Sequence, residues 1–251
     1  MTLRKTLLST LLLSVAIAGN VYAETAEEKF DRAYQYIQQQ NYQAAFPMFK
    51  ELAEQGYAVA QFNLGIMYDN GHGVNQDYHQ AVKWYQKAAE QGNANAQFNL
   101  GNMYYQGRGV NQDYHQAVKW YQKAAEQGKA NAQFNLGLMY DNGRGVNQDY
   151  HQAVKWYQKA AEQGNANAQF NLGIMYDNGH GVNQDYHQAV KWFQKAAEQG
   201  YATAQGMLGV MYYKGQGVRQ NYATSKMWVG KACDNGFQEA CDFYRDLNGG
   251  K

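Results

Sequence analysis

The sequence predicts an all-α solenoid built from antiparallel helix pairs, and three observations lead to this fold class. The stretch from Ala60 to Asn95 returns with little change at Ala96, Ala132, Ala168 and Ala204, which gives a period of 36 residues. A fixed period of roughly 20 to 50 residues is typical of stacked supersecondary units. Each copy also contains two apolar stripes at helical spacing, neither of which one helix pair can bury alone.

The composition supports one elongated, ordered domain. The chain is 45% hydrophobic and contains 22 Tyr, which is enough apolar and aromatic material to order it. The formal net charge is +1, and removal of Arg4 and Lys5 with a leader leaves 20 basic against 21 acidic residues. This balance provides no long-range attraction for nucleic acid or an anionic membrane, so no nucleic-acid partner is predicted.

Residues 1–23 have the features of a secretory signal. Basic Arg4 and Lys5 precede an apolar run, and small side chains at Val21 and Ala23 predict cleavage after Ala23. An uncleaved anchor is the alternative, although the run is short for a membrane span. We therefore expect a mature protein without a membrane span, in the periplasm or secreted.

Residues 24–59 predict a degenerate helix pair that caps the N-terminus. Apolar side chains follow helical spacing on both sides of a junction near Asn41. Pro47 falls in the first turns of the second helix, where its missing N–H is tolerated.

The first helix of the full repeat is predicted from the stripe formed by Ala60, Leu64, Met67 and Tyr68. Gly65 lies inside this helix and recurs in every copy, at a cost of up to about 1 kcal/mol relative to Ala. The recurrence predicts that a neighbouring helix approaches too closely for a side chain.

A glycine loop at Gly71 and Gly73 then ends the first helix. Asp77 and Gln80 have the spacing of a capping box at the start of a second helix, and Gly92 is a typical terminator. The apolar stripe of this second helix is Ala81, Trp84, Tyr85 and Ala88.

Five full units follow the N-terminal cap, and a short helix from Ala240 to Leu247 is predicted to close the array. The last unit diverges most, as expected for a terminal face that meets water. The predicted units are 60–95, 96–131, 132–167, 168–203 and 204–239, followed by a capping helix and tail at 240–251.

The pattern A-x-x-x-L-G-x-x-Y-x-x-G-x-G-V-x-x-D-x-x-x-A-x-x-W-x-x-x-A-A-x-x-G at Ala60 to Gly92 resembles the Sel-1-like repeat, a relative of the tetratricopeptide repeat. The resemblance implies a right-handed α-α superhelix. It also implies a non-catalytic adaptor that holds another protein or peptide in a concave groove, with no cofactor. Bacterial members of the family include envelope proteins.

Cys233 and Cys241 are the only cysteines. In an oxidising compartment paired thiols persist as disulfides, so one bridge is expected, with two buried reduced thiols as the alternative. The spacing is similar to that of cysteine-rich secreted members of the family, although this chain has one pair and not one per repeat.

If the first helices line the concave side, as in the related repeats, three positions of each unit face the groove. Two of these, the seventh and the tenth, are among the few positions that vary between copies. We interpret them as a peptide-binding surface with aromatic anchors; the alternative places the Phe side chains in the inter-repeat core. The third position is Phe62, Phe98, Phe134 and Phe170, then Gly206; the seventh is Ile66, Asn102, Leu138, Ile174 and Val210; the tenth is Asp69, Tyr105, Asp141, Asp177 and Tyr213.

Metal binding and catalysis are disfavoured by spacing. Histidines 36 residues apart, such as His79 and His115, lie on helices roughly 8 to 10 Å apart, too far to share an ion. β-Lactam hydrolysis, attributed to cysteine-rich relatives, lacks its nucleophile motif, because Trp228 stands three residues after Ser225, the one serine beyond the leader. Glycan binding by the tyrosine-rich groove is a further alternative that the sequence does not separate from peptide binding.

Overall fold

The computed structural model describes residues 24–249. These residues form thirteen α-helices and no strand, so the prediction of an all-α fold is confirmed. The predicted signal segment, 1–23, and the last two residues of the predicted tail lie outside the described residues. The helices are α1 (Ala26–Gln38), α2 (Tyr42–Glu54), α3 (Ala58–Asn70), α4 (Tyr78–Glu90), α5 (Ala94–Gln106), α6 (Tyr114–Glu126), α7 (Ala130–Asn142), α8 (Tyr150–Glu162), α9 (Ala166–Asn178), α10 (Tyr186–Glu198), α11 (Ala202–Lys214), α12 (Tyr222–Asp234) and α13 (Gln238–Gly249).

Each helix packs against the next one along the chain, as in a stack of helix pairs. The glycine inside the first helix of a pair explains how close the two helices come. A Cβ atom added to Gly65 would lie 2.6 Å from Cδ1 of Tyr85, and one added to Gly101 would lie 2.7 Å from Cδ1 of Tyr121. The glycine is therefore a packing requirement, and the ring on the second helix occupies the space that a side chain would need.

Buried glutamines join successive pairs, a feature that the sequence reading did not single out. Gln61 is buried on α3, where its Nε2 donates to the backbone oxygen of Ala53 on α2 at 3.1 Å. Its Oε1 accepts from Nε2 of Gln91 at 2.7 Å. These bonds satisfy the buried amide, which would otherwise destabilise the fold. The equivalent buried glutamines are Gln97, Gln133, Gln169 and Gln205.

The glycine loop of each pair packs on the second helix of the preceding pair. Gly71 ends α3 with φ +72°, and a Cβ on Gly73 would overlap the backbone carbonyl of Tyr42 at the start of α2. Beside this contact His72 stacks on the Tyr42 ring with centroids 4.1 Å apart. The loop thus covers the first residue of the previous second helix.

The predicted capping box at Asp77 is half present. The Asp77 carboxylate accepts from the backbone N–H of Gln80 at 3.0 Å, as predicted. The backbone N–H of Asp77 donates to the carbonyl of Tyr68 at 2.9 Å, so it is not available to the Gln80 side chain. The complete box is found at α1, between Thr25 and Glu28.

The last two helices are joined by the predicted disulfide. Cys233 on α12 and Cys241 on α13 are bonded, with Cα atoms 4.6 Å apart. Phe237 and Phe243 pack with Val229 in a small cluster at this end. The bridge holds the terminal helix against the fifth repeat.

Candidate functional site

The residues predicted to bind a partner lie along the first helices of the five repeats. We use the name first-helix face for the side chains at the third, fourth, seventh and tenth positions of each repeat on α3, α5, α7, α9 and α11. Most of them are half-buried. Val59, the residue just before the first repeat, is 51% exposed on the same helix, which marks the solvent side of that helix.

The phenylalanines at the third position are half-buried at the edge of the core. The ring centroids of Phe62 and Tyr85 lie 6.1 Å apart, and those of Phe134 and Tyr157 lie 6.0 Å apart. Phe98 joins the cluster around Tyr121 in the same way. Each ring thus contacts the second helix of its pair, while part of it reaches the surface. These phenylalanines therefore lie neither wholly in the inter-repeat core nor wholly on a binding surface.

The side chains at the seventh position are also half-buried. Ile66, Leu138 and Ile174 pack against the apolar clusters beneath them. In the second repeat the position is Asn102, whose side-chain oxygen accepts from the hydroxyl of Tyr121 at 2.7 Å. An apolar row interrupted by one amide therefore runs along the face.

In the first and third repeats the residue at the tenth position accepts a hydrogen bond from a tyrosine hydroxyl of the second helix. Oδ2 of Asp69 accepts from the hydroxyl of Tyr85 at 3.1 Å, and Oδ2 of Asp141 accepts from Tyr157 at 3.0 Å. In the second repeat the tenth residue is Tyr105. Tyr121 of the second helix donates instead to Asn102 at the seventh position. The apolar stripe predicts a core position for these second-helix tyrosines, but it does not predict that their hydroxyls reach the first-helix face.

Burial raises the pKa of Tyr85 above its ordinary value, and the neighbouring charge of Asp69 raises it further. The pKa of Tyr157 is raised for the same two reasons, with Asp141 as the charge. Both phenols therefore remain protonated and keep donating to the carboxylates across the physiological pH range.

The fourth position completes this polar row. The Asn99 amide faces the hydroxyl of Tyr85 from the following repeat, and Asn171 faces Tyr157 in the same way. Nδ2 of Asn135 lies 3.4 Å from Oδ1 of Asn102. The first three repeats thus place an acceptor, a tyrosine hydroxyl and an asparagine of the next repeat side by side. These asparagines were not among the predicted site residues.

The glycine loops border one edge of the face. Nη1 of Arg144 donates to the hydroxyl of Tyr105 at 2.6 Å, across a repeat boundary. In the next repeat His180 occupies the position of Arg144. Burial raises the pKa of Asp141, and the nearby His180 opposes this shift. The pairing between the tenth residue and the following loop therefore changes from repeat to repeat.

The two C-terminal members of the face differ from the others. The structure shows no hydrogen-bond donor to the Asp177 carboxylate among residues 24–249. Tyr213 is 39% exposed, and its ring lies 5.3 Å from those of Phe243 and Tyr222. Gly206 at the third position has no ring, and Phe237 fills the space above it.

The recurring histidines and Ser225, considered from the sequence for metal or catalytic roles, lie apart from one another on separate helices. Within residues 24–249 no group of three or more His, Cys, Asp or Glu side chains could hold a metal ion. Ser225 is buried, and its hydroxyl donates to the backbone oxygen of Gly209 at 2.7 Å. The recurring histidines at the start of the second helices are exposed: His79, His115, His151 and His187.

No helix between residues 24 and 249 combines the length and the hydropathy needed to cross a bilayer. The Sel1 repeat family model matches the chain at 58–93, 94–129, 130–165, 166–201 and 202–237. These windows begin two residues before the units predicted from the sequence. No curated protein sequence matches the chain.

Solved structures that are similar to the chain include the following three. A Sel1 repeat protein from Oxalobacter formigenes is 35% identical with a TM-score of 0.79, and the match covers 87% of each chain. A protective antigen present in uropathogenic Escherichia coli strains, which has an SLR fold, is 42% identical with a TM-score of 0.84. That match covers 86% of this chain and 47% of the antigen, so the chain spans about half of the antigen's length.

YrrB, a TPR protein with an unusual peptide-binding site, is 21% identical with a TM-score of 0.51, and the match covers 78% of this chain and 97% of YrrB. At this identity the similarity concerns the fold alone. Together the three structures are solenoids of helix pairs.

Proposed function

The chain belongs to the Sel1 repeat family, and we propose that it is a non-catalytic scaffold that binds another protein or a peptide along its first-helix face. Sel1 and TPR-like repeats commonly serve as protein-interaction scaffolds. In related repeats the first helices line the concave side, where an extended segment or a helix can lie across several repeats.

One observation carries this proposal. The copies are nearly identical at buried positions, whereas the seventh and tenth positions vary, and both lie on the first-helix face. Variation there changes the surface that a partner would meet and leaves the packing between helices intact. Half-buried rings at the third position and hydrogen-bonding groups at the fourth and tenth supply the apolar anchors and polar contacts typical of protein interfaces.

We propose the periplasm or the extracellular space as the site of action. The predicted signal segment at residues 1–23 supports export, and the bond between Cys233 and Cys241 suits an oxidising compartment. The relatives of known source are bacterial. We infer that the protein is not an enzyme, because Ser225 is buried and the exposed histidines stand alone on separate helices.

The test is capture of a partner from an envelope extract, with and without lysozyme digestion of the cell wall. A protein partner survives digestion, whereas loss of binding after digestion favours a glycan ligand. Phe98→Ala combined with Tyr105→Ala removes two side chains of the first-helix face, and we expect capture to be lost. His115→Ala, an exposed substitution on α6, is the matched control and keeps capture.

Thermal unfolding of the same variants separates binding from folding. Loss of capture with a retained cooperative transition supports the proposal. Unfolding of the double variant would show that both rings belong to the inter-repeat core, which would contradict their assignment to the interface. Capture that persists in a folded double variant, or that is lost in the His115 control, would contradict the choice of face.

A further inference from the structure

In each of the first three repeats an acceptor, a tyrosine hydroxyl and an asparagine of the next repeat lie together, and we call these three groups the polar trio. In the fourth repeat the trio is replaced by an isolated carboxylate among apolar side chains. In the third repeat Asp141 accepts from the hydroxyl of Tyr157, which also faces an asparagine amide of the next repeat. At the equivalent positions of the fourth repeat the acceptor is Asp177, but the tyrosine is Phe193 and the asparagine is Met207. Both groups that accompany the carboxylate elsewhere have become apolar together.

The Asp177 carboxylate is consequently left without an internal donor. Among residues 24–249 no hydrogen bond reaches its side-chain oxygens, and no cation lies within ion-pair distance. Burial raises the pKa of this carboxyl, and the charge of Lys214 opposes the shift. Covering such a group further in a complex is unfavourable unless the partner brings a donor, because a desolvated carboxylate without a hydrogen bond is costly.

An open apolar pocket of about 400 Å³ is lined in part by Lys214, the residue whose charge acts on the Asp177 carboxyl. Its volume falls within the usual range of ligand pockets. Phe237 occupies the space that a third-position ring would take, because a Cβ on Gly206 would lie 2.7 Å from Cε1 of Phe237, and both residues line the pocket. The apolar walls include Met207, Val210, Tyr213, Val229, Phe237 and Phe243.

Charges at the rim indicate the chemistry of the occupant. Lys214 and Glu239 line the pocket, and Asp177 lies near Lys214. Two carboxylates therefore stand against one ammonium group, which favours a cation from the partner. Phe237 and Phe243 flank or belong to α13, which the disulfide ties to α12, so the walls are held in place before a ligand arrives.

We propose that this pocket is the anchor site of the partner: a bulky apolar side chain enters it, and an adjacent lysine or arginine of the same peptide segment pairs with Asp177. This inference rests on the proposed function and adds to it a position and a ligand class. The first three repeats, whose acceptors are already satisfied internally, contact the remainder of the segment.

The inference is tested with short probe peptides and isotope-labelled protein with its disulfide intact. The probe is N-acetylated, C-amidated Gly-Ser-Phe-Lys-Ser-Gly, compared with versions that have Glu for Lys or Ala for Phe. We expect amide resonances of α11 and α13 to shift most with the Phe-Lys peptide. Its affinity should exceed that of the Phe-Glu peptide by roughly threefold to fivefold, the range for a partly exposed ion pair.

Two variants make the test specific. Phe193→Tyr combined with Met207→Asn restores the polar trio of the other repeats, so Asp177 gains internal partners and the preference for Lys over Glu should vanish. His151→Ala is the matched control: it changes an exposed side chain at the start of α8, away from the first-helix face, and it should leave peptide binding unchanged.

The outcomes separate the two levels of the proposal. Shifts confined to α3, α5 and α7 would overturn the anchor site and leave the proposed function standing. Equal affinity of the Phe-Lys and Phe-Glu peptides would overturn the role of Asp177. Shifts confined to α4, α6, α8 and α10 would contradict both the anchor site and the proposed function. The absence of shifts at every helix would contradict the anchor site.

Discussion

The third repeat and the C-terminal end of the solenoid, which we define as residues 168–249, have the same architecture but different surface chemistry. In the third repeat the carboxylate of Asp141 is bound by Tyr157, and every buried position follows the repeat pattern. At the C-terminal end Asp177 lacks such a donor, a pocket opens at Gly206 and a disulfide holds the last helix. The comparison teaches that a solenoid can keep its helix pairs while a few buried side chains and those that reach one face are exchanged.

The largest expected contrast between the two regions concerns packing. Leu136→Ala in the third repeat removes a fully buried side chain with repeats stacked on both sides, and we expect it to lower the free energy of unfolding by about 3 kcal/mol. Leu247→Ala on α13 affects a half-buried side chain at the free end and should cost less than about 1 kcal/mol. Urea denaturation measures both; equal losses would show that the end is packed as tightly as the centre.

The disulfide should stabilise one region alone. Its cysteines are eight residues apart, and the chain-entropy estimate for so short a loop is about 2.5 kcal/mol. Replacement of Cys233 and Cys241 by Ala should therefore speed amide hydrogen exchange in α12 and α13 and leave α7 unchanged, since repeats contact mainly their neighbours. Faster exchange throughout the array would mean that the end helix stabilises the whole solenoid.

Exchanging the hydroxyl between repeats should change stability in opposite directions. Tyr157→Phe removes the bond to Asp141 and should cost about 1 kcal/mol. Phe193→Tyr offers the same bond to Asp177 and should raise the free energy of unfolding by up to about 1 kcal/mol. Chemical denaturation of both variants is the measurement. Loss of stability in Phe193→Tyr would show that the surroundings of Asp177 do not admit the hydroxyl.

The smallest effect concerns pH. Burial raises the pKa of Asp177 above its ordinary 3.8, so the folded protein binds this proton more tightly than the unfolded chain. Stability is therefore lost as the pH rises from that ordinary value through the folded pKa. Asp177→Asn should be more stable than the natural chain at pH 7, by less than about 1 kcal/mol because the group is partly exposed. The difference should disappear below pH 3.8; a constant difference would exclude titration of Asp177 as the cause.

The helices, their pairing and the disulfide could be predicted because each leaves a periodic or spaced signal in the sequence. How far the Phe62 side chain is buried could not be predicted, because helical spacing shows which face of a helix a residue lies on but not how much of it a neighbouring helix covers. Gln61 was missed because a polar residue beside an apolar stripe gives no sign that its amide will be buried and paired.

The missed part of the candidate site has a similar cause. Tyr85 belongs to an apolar stripe, and the sequence does not show that its hydroxyl emerges between two first helices. One signal was present: the same position is Phe193 in the fourth repeat, where the asparagine of the next repeat is also lost as Met207. A paired change of this kind indicates contact. The capping box at Asp77 was half wrong because its N–H is used by Tyr68 of the preceding helix.

Site-specific photocrosslinking tests the central claim most directly. Benzoylphenylalanine is placed at Asn102, Leu138 or Val210 on the first-helix face, and at His115 or His187 on second helices as controls, in cells that make the protein. All five positions are half-buried or exposed, so the substitutions are compatible with folding. We expect crosslinks to one partner from the first three positions and none from the two histidine positions. Crosslinks from the histidine positions alone would contradict the assignment of binding to the first-helix face.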